Sequence, residues 1–328
     1  MNTQWMMQDR GDTLVTIQQF LRDLWQTAAL EGMLVPQRTA GTAGIRPLFI
    51  TDWMQLNSAD PCAPIMTLNA ARLVAQLARQ NPRGRLGAVL RPCELRALLT
   101  LAAHDAFHLE QFLIVGVDCL GTFPADDYAW RAEKQGGEQL TREALRFAPQ
   151  GGILPHRYRH ACQMCVSPVP EGADLSIGML GLPTRQTILI TARDKETAER
   201  LRLDAITDGE AAPALVARHE RMRATLAGRR GRARRRIIGA LPASLPANAQ
   251  GFLALLTDCA PCQACLEACP IYAGELARLG GVSWDAVSRW LSACAECGMC
   301  EEACPRRMPL SAVVSRIRWD LVSEWIAM

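Results

Sequence analysis

Eight cysteines toward the end of the chain fall into two runs of identical spacing. The first is Cys259-x2-Cys262-x2-Cys265-x3-Cys269-Pro270. The second, Cys294-x2-Cys297-x2-Cys300-x3-Cys304-Pro305, starts 35 residues later. Their second halves nearly repeat, Cys265-Leu-Glu-Ala-Cys-Pro270 against Cys300-Glu-Glu-Ala-Cys-Pro305. Three cysteines at x2 intervals let one tight loop offer three thiolates to three irons of a 4Fe–4S cubane. The x3 step carries the fourth sulfur to the other member of a cluster pair. The spacing therefore predicts one cluster on Cys259, Cys262, Cys265 and Cys304, and a second on Cys294, Cys297, Cys300 and Cys269. The proline after each fourth cysteine turns the chain away. Zinc sites use two CxxC pairs across a longer gap, which leaves two identical four-cysteine runs unexplained. Disulfides fit less well, because Met1–Gly11 lacks the charged and apolar regions of a secretory leader.

Three further pieces carry thiols. Leu86–Leu90 reads as a buried strand, and Arg91-Pro-Cys93 after it turns into a helix reaching about Ala103. Phe112–Val117 reads as a second buried strand, followed by Asp118-Cys119. Strand, crossover helix and strand predict a parallel pair, and ligands of such sheets lie beyond the carboxyl ends of the strands. Cys93 and Cys119 both fall there. His160-Ala-Cys-Gln-Met-Cys165 adds a CxxC, which makes four thiols, enough for a third cubane. The local sequence fits a zinc site or an unused CxxC about as well. Cys62 has no neighbouring cysteine and reads as a small buried hydrophobe, with a thiol role as the alternative. His104 and His108 share a helix face without a third ligand and read as surface or packing residues.

The elements that position these residues follow from periodicity. Leu14, Ile17, Phe20, Leu21 and Leu24 predict a helix over 13–34, and Leu48–Thr51 a short strand. Thr67 is a plausible N-cap of a helix ending near Arg79. Thr187–Thr191 reads as a strand and 195–203 as a helix. A helix is expected over 211–226, then an exposed, solvated linker at Arg229–Arg236, interrupted by Gly228 and Gly231. Between the cysteine runs, Trp284, Val287, Trp290 and Leu291 share a helix face, as do Val313, Val314, Ile317, Leu321 and Trp325 in the tail. The C-terminal part is thus expected to be helical, with its tryptophans shielding the clusters. The expected fold is an α/β (α+β) N-terminal domain with a small, partly parallel sheet, plus a C-terminal α-helical dicluster ferredoxin domain. Its divisions are a helical and extended segment 1–59, a thiol-bearing domain 60–215, a helix and Arg-rich linker 216–248, and the dicluster domain 249–328.

The chain has 328 residues, 13 of them cysteine, and a net charge of +3. Residues 218–236 hold nine arginines and one acid, a net of +8, so the remainder carries 3 − 8 = −5. That block alone does not make a nucleic-acid binder, because no recognition motif accompanies it. It reads as a solvated connector, or as a docking strip for an acidic partner or for cofactor phosphates. No apolar run approaches the roughly 20 residues of a membrane span, and the chain is read as cytoplasmic.

Arg91-Pro-Cys93, Asp118-Cys119, and Cys162-x2-Cys165 followed by Ala173-Asp-Leu-Ser-Ile-Gly178 resemble the beta subunits of coenzyme F420-reducing hydrogenases and formate dehydrogenases, over about residues 60–210. The C-terminal module, with Ala295-Glu-Cys-Gly-Met-Cys-Glu-Glu-Ala-Cys-Pro305, is similar to that of the formate dehydrogenase beta subunits. The resemblance implies that Cys93, Cys119, Cys162 and Cys165 hold a cluster beside a flavin, FAD. It also implies a catalytic redox partner subunit and a soluble electron carrier. A flavin couples one-electron clusters to two-electron hydride carriers. Arg91 and Thr67 are the candidate flavin contacts, although no dinucleotide fingerprint is present. Two other readings compete with this one: a flavin-free electron wire with three clusters, and a structural or sensory protein stapled by metal.

Overall fold

The structure is a computed structural model that describes residues 3–39, 44–80, 83–105, 107–152, 157–259, 262–272 and 283–327; side chains are described to 319, with Ala286 excepted. Its centre is a seven-stranded sheet made of β1 (Thr3–Gln8), β2 (Gly32–Arg38), β3 (Ile45–Ile50), β4 (Leu86–Leu90), β5 (Phe112–Val117), β6 (Leu175–Gly178) and β7 (Thr187–Ala192), in the order β1-β7-β6-β5-β4-β2-β3. The four central strands β2, β4, β5 and β6 run parallel. Both edges are finished antiparallel, by β7 and β1 on one side and β3 on the other. The expected parallel pair of β4 and β5 is present, with Leu86 opposite Phe112 and Leu90 opposite Gly116. The sheet is larger than expected, and three of its strands come from 1–59, so it runs across the 59/60 division.

Strand residues alternate between two cores, as a pleated strand requires. Val89, Leu113, Val115 and Val117 point to one, with the Thr13–Thr27 helix. Leu86, Ala88, Leu90, Phe112 and Ile114 point to the other. That second core continues through the Ala71–Arg79 and Pro92–Asp105 helices into Phe252, Leu266, Trp290, Leu291 and Val313 of the C-terminal part. Among the described residues beyond 249, all regular structure is helical.

Three expectations are corrected. The first helix ends at Thr27 rather than Leu34. Ala29 takes a left-handed conformation (φ 49°), and the apolar residues after it belong to β2. Thr67 is not an N-cap: the second helix starts at Ala71, where Asn69 Oδ1 accepts the Ala71 N–H at 3.0 Å. Arg229–Arg236 is no linker, because one helix of 27 residues runs unbroken over Pro213–Gly239. Its inner face buries His219, Leu226 and Arg230. Arg230 donates to the Cys165 carbonyl and Arg234 pairs with Glu296 at 2.5 Å, so the like-charge block is relieved from within.

Candidate metal centres

The two C-terminal runs fold as copies of one turn. The residue after the second cysteine of each, Gln263 (φ 47°) and Gly298 (φ 73°), is left-handed and opens a short helix, Ala264–Glu267 or Met299–Glu302. Gly298 has a second constraint, since a Cβ there would lie 2.5 Å from Ala161 Cβ.

The thiols of these runs gather in two crossed sets. Burial, then the charges of Cys304, Cys262 and Cys259, push the Cys265 thiol up to about 11. These four residues line one cavity. Burial, then Cys297 and Cys294, push Cys269 up to about 12. Cys294 is raised to about 11 by burial and by Cys297. Cys300 is raised further by burial, with Cys294, Cys269 and Cys297 adding to it. Thiols crowded in a dry site hold their protons until a metal displaces them.

Donors are aimed at the sulfurs. Trp290 Nε1 donates to Cys269 Sγ at 3.1 Å and the Glu296 N–H to Cys294 Sγ at 3.4 Å, while Arg306 Nη1 donates to Cys259 Sγ at 3.5 Å. Trp290 is thus the shielding residue. Trp284 is half exposed and does not shield, and the side chains of Leu321 and Trp325 lie outside the described residues.

The third set forms at the carboxyl ends of the parallel strands. Cys93 sits in the first turn of the Pro92–Asp105 helix. There Pro92 leads, and Glu94 Oε2 accepts the Arg91 N–H at 2.9 Å, one half of a capping box. Glu94 Oε1 also takes the Ala70 N–H at 3.1 Å, tying two helix starts together. Cys119 follows β5, held by its N–H to the Pro168 carbonyl at 2.9 Å. Gly116 lets this loop lie close, since a Cβ there would meet Pro170 at 2.3 Å. Cys162 lies in the His160–Met164 helix and Cys165 just after it. Burial raises Cys119, with the charge of Cys162 adding to it, and raises Cys93, with the charge of Cys119 adding to it. Burial opposes ionisation of Cys162 too, but buried Arg159 and the Thr122 hydroxyl outweigh it and lower that thiol. Thr122 Oγ1 accepts from Arg159 Nε at 2.8 Å and lies 3.1 Å from Cys162 Sγ.

The third set adjoins the second. Cys93 and Cys297 pack around Met66 and Met299. Arg96 spans the gap, donating to the Ser167 and Ala295 carbonyls. The Cys269 set therefore lies between the Cys93 set and, through the crossed runs, the Cys304 set. Sequence reasoning missed Arg96, Thr122 and Arg230, which carry no local motif.

The donor sets fit 4Fe–4S clusters: four sulfurs each, with hydrogen bonds to sulfur, and with Cys269, Cys297 and Cys300 buried while Cys262 is exposed. Among the described residues, no three His, Cys, Asp or Glu side chains converge tightly enough for a single metal ion. The residues proposed for a flavin fit less well. Arg91 is buried, its guanidinium bonded to the Ile65 and Ala63 carbonyls at 2.5 and 2.6 Å. Thr67 donates to the Ile45 carbonyl at 2.6 Å. Cys62 is a core residue, its sulfur 3.7 Å from Met179 Sδ and its thiol raised by burial. His104 and His108 are surface residues, as expected, but they share no helix face, because the helix ends at Asp105 and His108 lies beyond it.

Thiols thus gather at the carboxyl ends of parallel strands, and again in a helical layer behind them. Residues 84–211 match the family described as the C terminus of the coenzyme F420 hydrogenase/dehydrogenase beta subunit. The fold is similar to that of a chain in the F420-reducing NiFe hydrogenase complex from Methanosarcina barkeri. That similarity has a TM-score of 0.52 and 12% identity, and spans 73% of this chain and 90% of that one. No curated protein matches the sequence. No helix among the described residues is long and apolar enough to cross a membrane.

Proposed function

We propose that the chain is the iron–sulfur electron-transfer subunit of a hydrogenase- or formate dehydrogenase-type complex. It would hold three 4Fe–4S clusters, on Cys259, Cys262, Cys265 and Cys304; on Cys294, Cys297, Cys300 and Cys269; and on Cys93, Cys119, Cys162 and Cys165. When bound, such clusters take up and release single electrons. The chain would supply thiolates and aim donors at the sulfurs, which tune the potential. The observation that carries the reading is the convergence of all twelve cysteines into three adjoining sets, two of them crossed between runs.

The partners would be a catalytic redox subunit and a soluble carrier, in the cytoplasm, where thiols stay reduced. Exposed arginines along the Pro213–Gly239 helix, among them Arg218, Arg221, Arg232 and Arg236, suit an acidic partner surface. The commitments of Arg91 and Thr67 favour the flavin-free form of this function over one with FAD at those residues.

Anaerobic purification, with iron, acid-labile sulfide and flavin measured per chain, tests the proposal. About twelve irons support it. About eight would remove the strand-end cluster, and none would remove the function.

A further inference from the structure

The Pro213–Gly239 helix carries a row of charge on its solvent side. Arg218, Arg221, Arg229, Arg232 and Arg236 are exposed and follow one another at steps of three or four residues, with exposed Thr225 filling the one gap. That spacing keeps them on one side of the helix. At about 1.5 Å per residue the stripe runs ~27 Å from Arg218 to Arg236. The carboxylates of Glu220 and Glu171 are both taken by Arg223 instead. Among the described residues, no arginine of the stripe has a carboxylate within 4 Å. The chain outside residues 218–236 carries −5, so the positive field is local.

The inner side of the same helix holds the strand-end thiols. Buried Arg230 donates to the Cys165 carbonyl at 3.4 Å, and its charge favours the thiolates of Cys119 and Cys162. Further back along the helix, His219 Nε2 lies 2.7 Å from Asp118 Oδ2, in the residue before Cys119. The short helix that carries Cys162 packs directly against it. The stripe therefore stands one helix diameter, ~10 Å, from the thiols of the strand-end set. Electrons tunnel through protein across such a gap.

The exposed residues among and beside these arginines are small: Ala214, Ala217, Ala224, Thr225 and Gly228. They offer no ring on which a base could stack and no large apolar side chain to enter a bilayer. What remains is a narrow row of charge, which steers a partner and fixes its register more than it holds it. Small, short-lived interfaces are those of electron-transfer pairs. We infer that the stripe docks an acidic electron-carrier protein, which exchanges one electron with the strand-end cluster across this helix. The inference rests on the function proposed above, because the electron needs a cluster on Cys93, Cys119, Cys162 and Cys165. The docking needs only the arginines. In one encounter the cluster loses an electron and the carrier gains it, or the reverse, and no proton or group moves.

The experiment uses the full chain, purified anaerobically. The probe is an acidic 2Fe–2S ferredoxin, with basic cytochrome c as its counterpart of opposite charge. Calorimetry reads binding to the oxidised chain. Stopped flow reads electron transfer to the oxidised probe from chain reduced with dithionite and freed of the excess. The ferredoxin should bind more tightly than cytochrome c at low salt, and at least about tenfold more weakly at high salt. Arg221→Glu and Arg232→Glu should each weaken its binding and slow transfer about tenfold. Arg46→Glu makes the same charge change on β3 and should alter both by less than about twofold. All three side chains are exposed, so the variants should fold and keep their iron. An equal effect of Arg46→Glu would reduce the stripe to net charge and overturn the inference. So would binding indifferent to the two stripe reversals, or transfer indifferent to them in a chain holding about twelve irons. A stripe-dependent preference for duplex DNA or phosphatidylserine vesicles over the ferredoxin would overturn it as well. Iron is measured on the same samples. A chain with about eight irons would lose the electron step together with the proposed function, and the binding arm would still decide the docking surface.

Discussion

At the scale of single residues, Arg159 and Arg157 separate a structural charge from a solvated one. Both stand before Cys162, with His156, which lies outside the described residues, and His160. Arg159 is buried and reaches both Thr122 and Cys162, whereas Arg157 is exposed. A positive charge near a cluster favours its reduced state. Arg159→Gln should therefore lower the midpoint potential of the strand-end cluster, on the order of 100 mV at the effective dielectric of a protein site. Arg157→Gln should change it by less than about 20 mV, because solvent and salt screen it. Redox titration followed by electron paramagnetic resonance reads both, and equal shifts would remove the distinction. Asp60 yields a prediction about stability. It is fully buried, with Oδ1 unpartnered, and burial outweighs the Thr141 hydroxyl and Arg38 to push its carboxyl from 3.8 up to about 6. The folded state thus holds a proton that the unfolded chain has released. The stability linked to this group is present below about pH 4 and is lost as pH rises to about 6. Two pKa steps amount to about 3 kcal/mol. Asp60→Asn should flatten that slope and raise stability at pH 7.5 by about 1–2 kcal/mol, since Arg38 keeps Glu138 at 3.0 Å. Denaturant melts at several pH values check it, and an unchanged slope would count against the assignment.

At the scale of elements, the Pro213–Gly239 helix shows where sequence reasoning stopped short. Six arginines over Arg229–Arg236, with Gly228 and Gly231, pointed to a connector, yet the groups that receive the inner arginines, the Glu296 carboxylate and the Cys165 carbonyl, are remote in sequence. Gly228 and Gly231 carry no steric duty: added Cβ atoms would meet only Arg232 at 3.7 Å and Val166 at 4.0 Å. Gly228→Ala and Gly231→Ala should each stabilise the fold by about 0.5–1 kcal/mol. A flexible linker would be indifferent to both, so thermal melts decide between the two. β2 was hidden for a different reason. Its apolar residues continue the periodicity of the first helix, and only the left-handed Ala29 marks the break. β4 and β5 were legible because strands buried on both faces read as continuous apolar runs.

At the scale of the whole molecule, the two four-cysteine runs were the most legible feature, since their spacing stands in the sequence itself. The joining of the parts was not legible. Phe252, Trp290 and Val313 share a core with Ala88, Leu90 and Phe112, so the expected boundary at 248/249 does not divide the hydrophobic interior. A chain ending at residue 248 should therefore expose part of that core and self-associate. Size-exclusion chromatography with light scattering measures this, and a stable monomer would show the C-terminal part to be dispensable. The crossed pairing of the two runs has a consequence for maturation. In the proposed assignment each centre would be completed by a sulfur from the far run, so neither run would be a finished cradle by itself. During synthesis the earlier loop emerges one thiol short and waits for the later one. Iron delivered before the second run is in place would meet only three protein ligands. Losing either fourth cysteine would leave a fault in the centre opposite its own run.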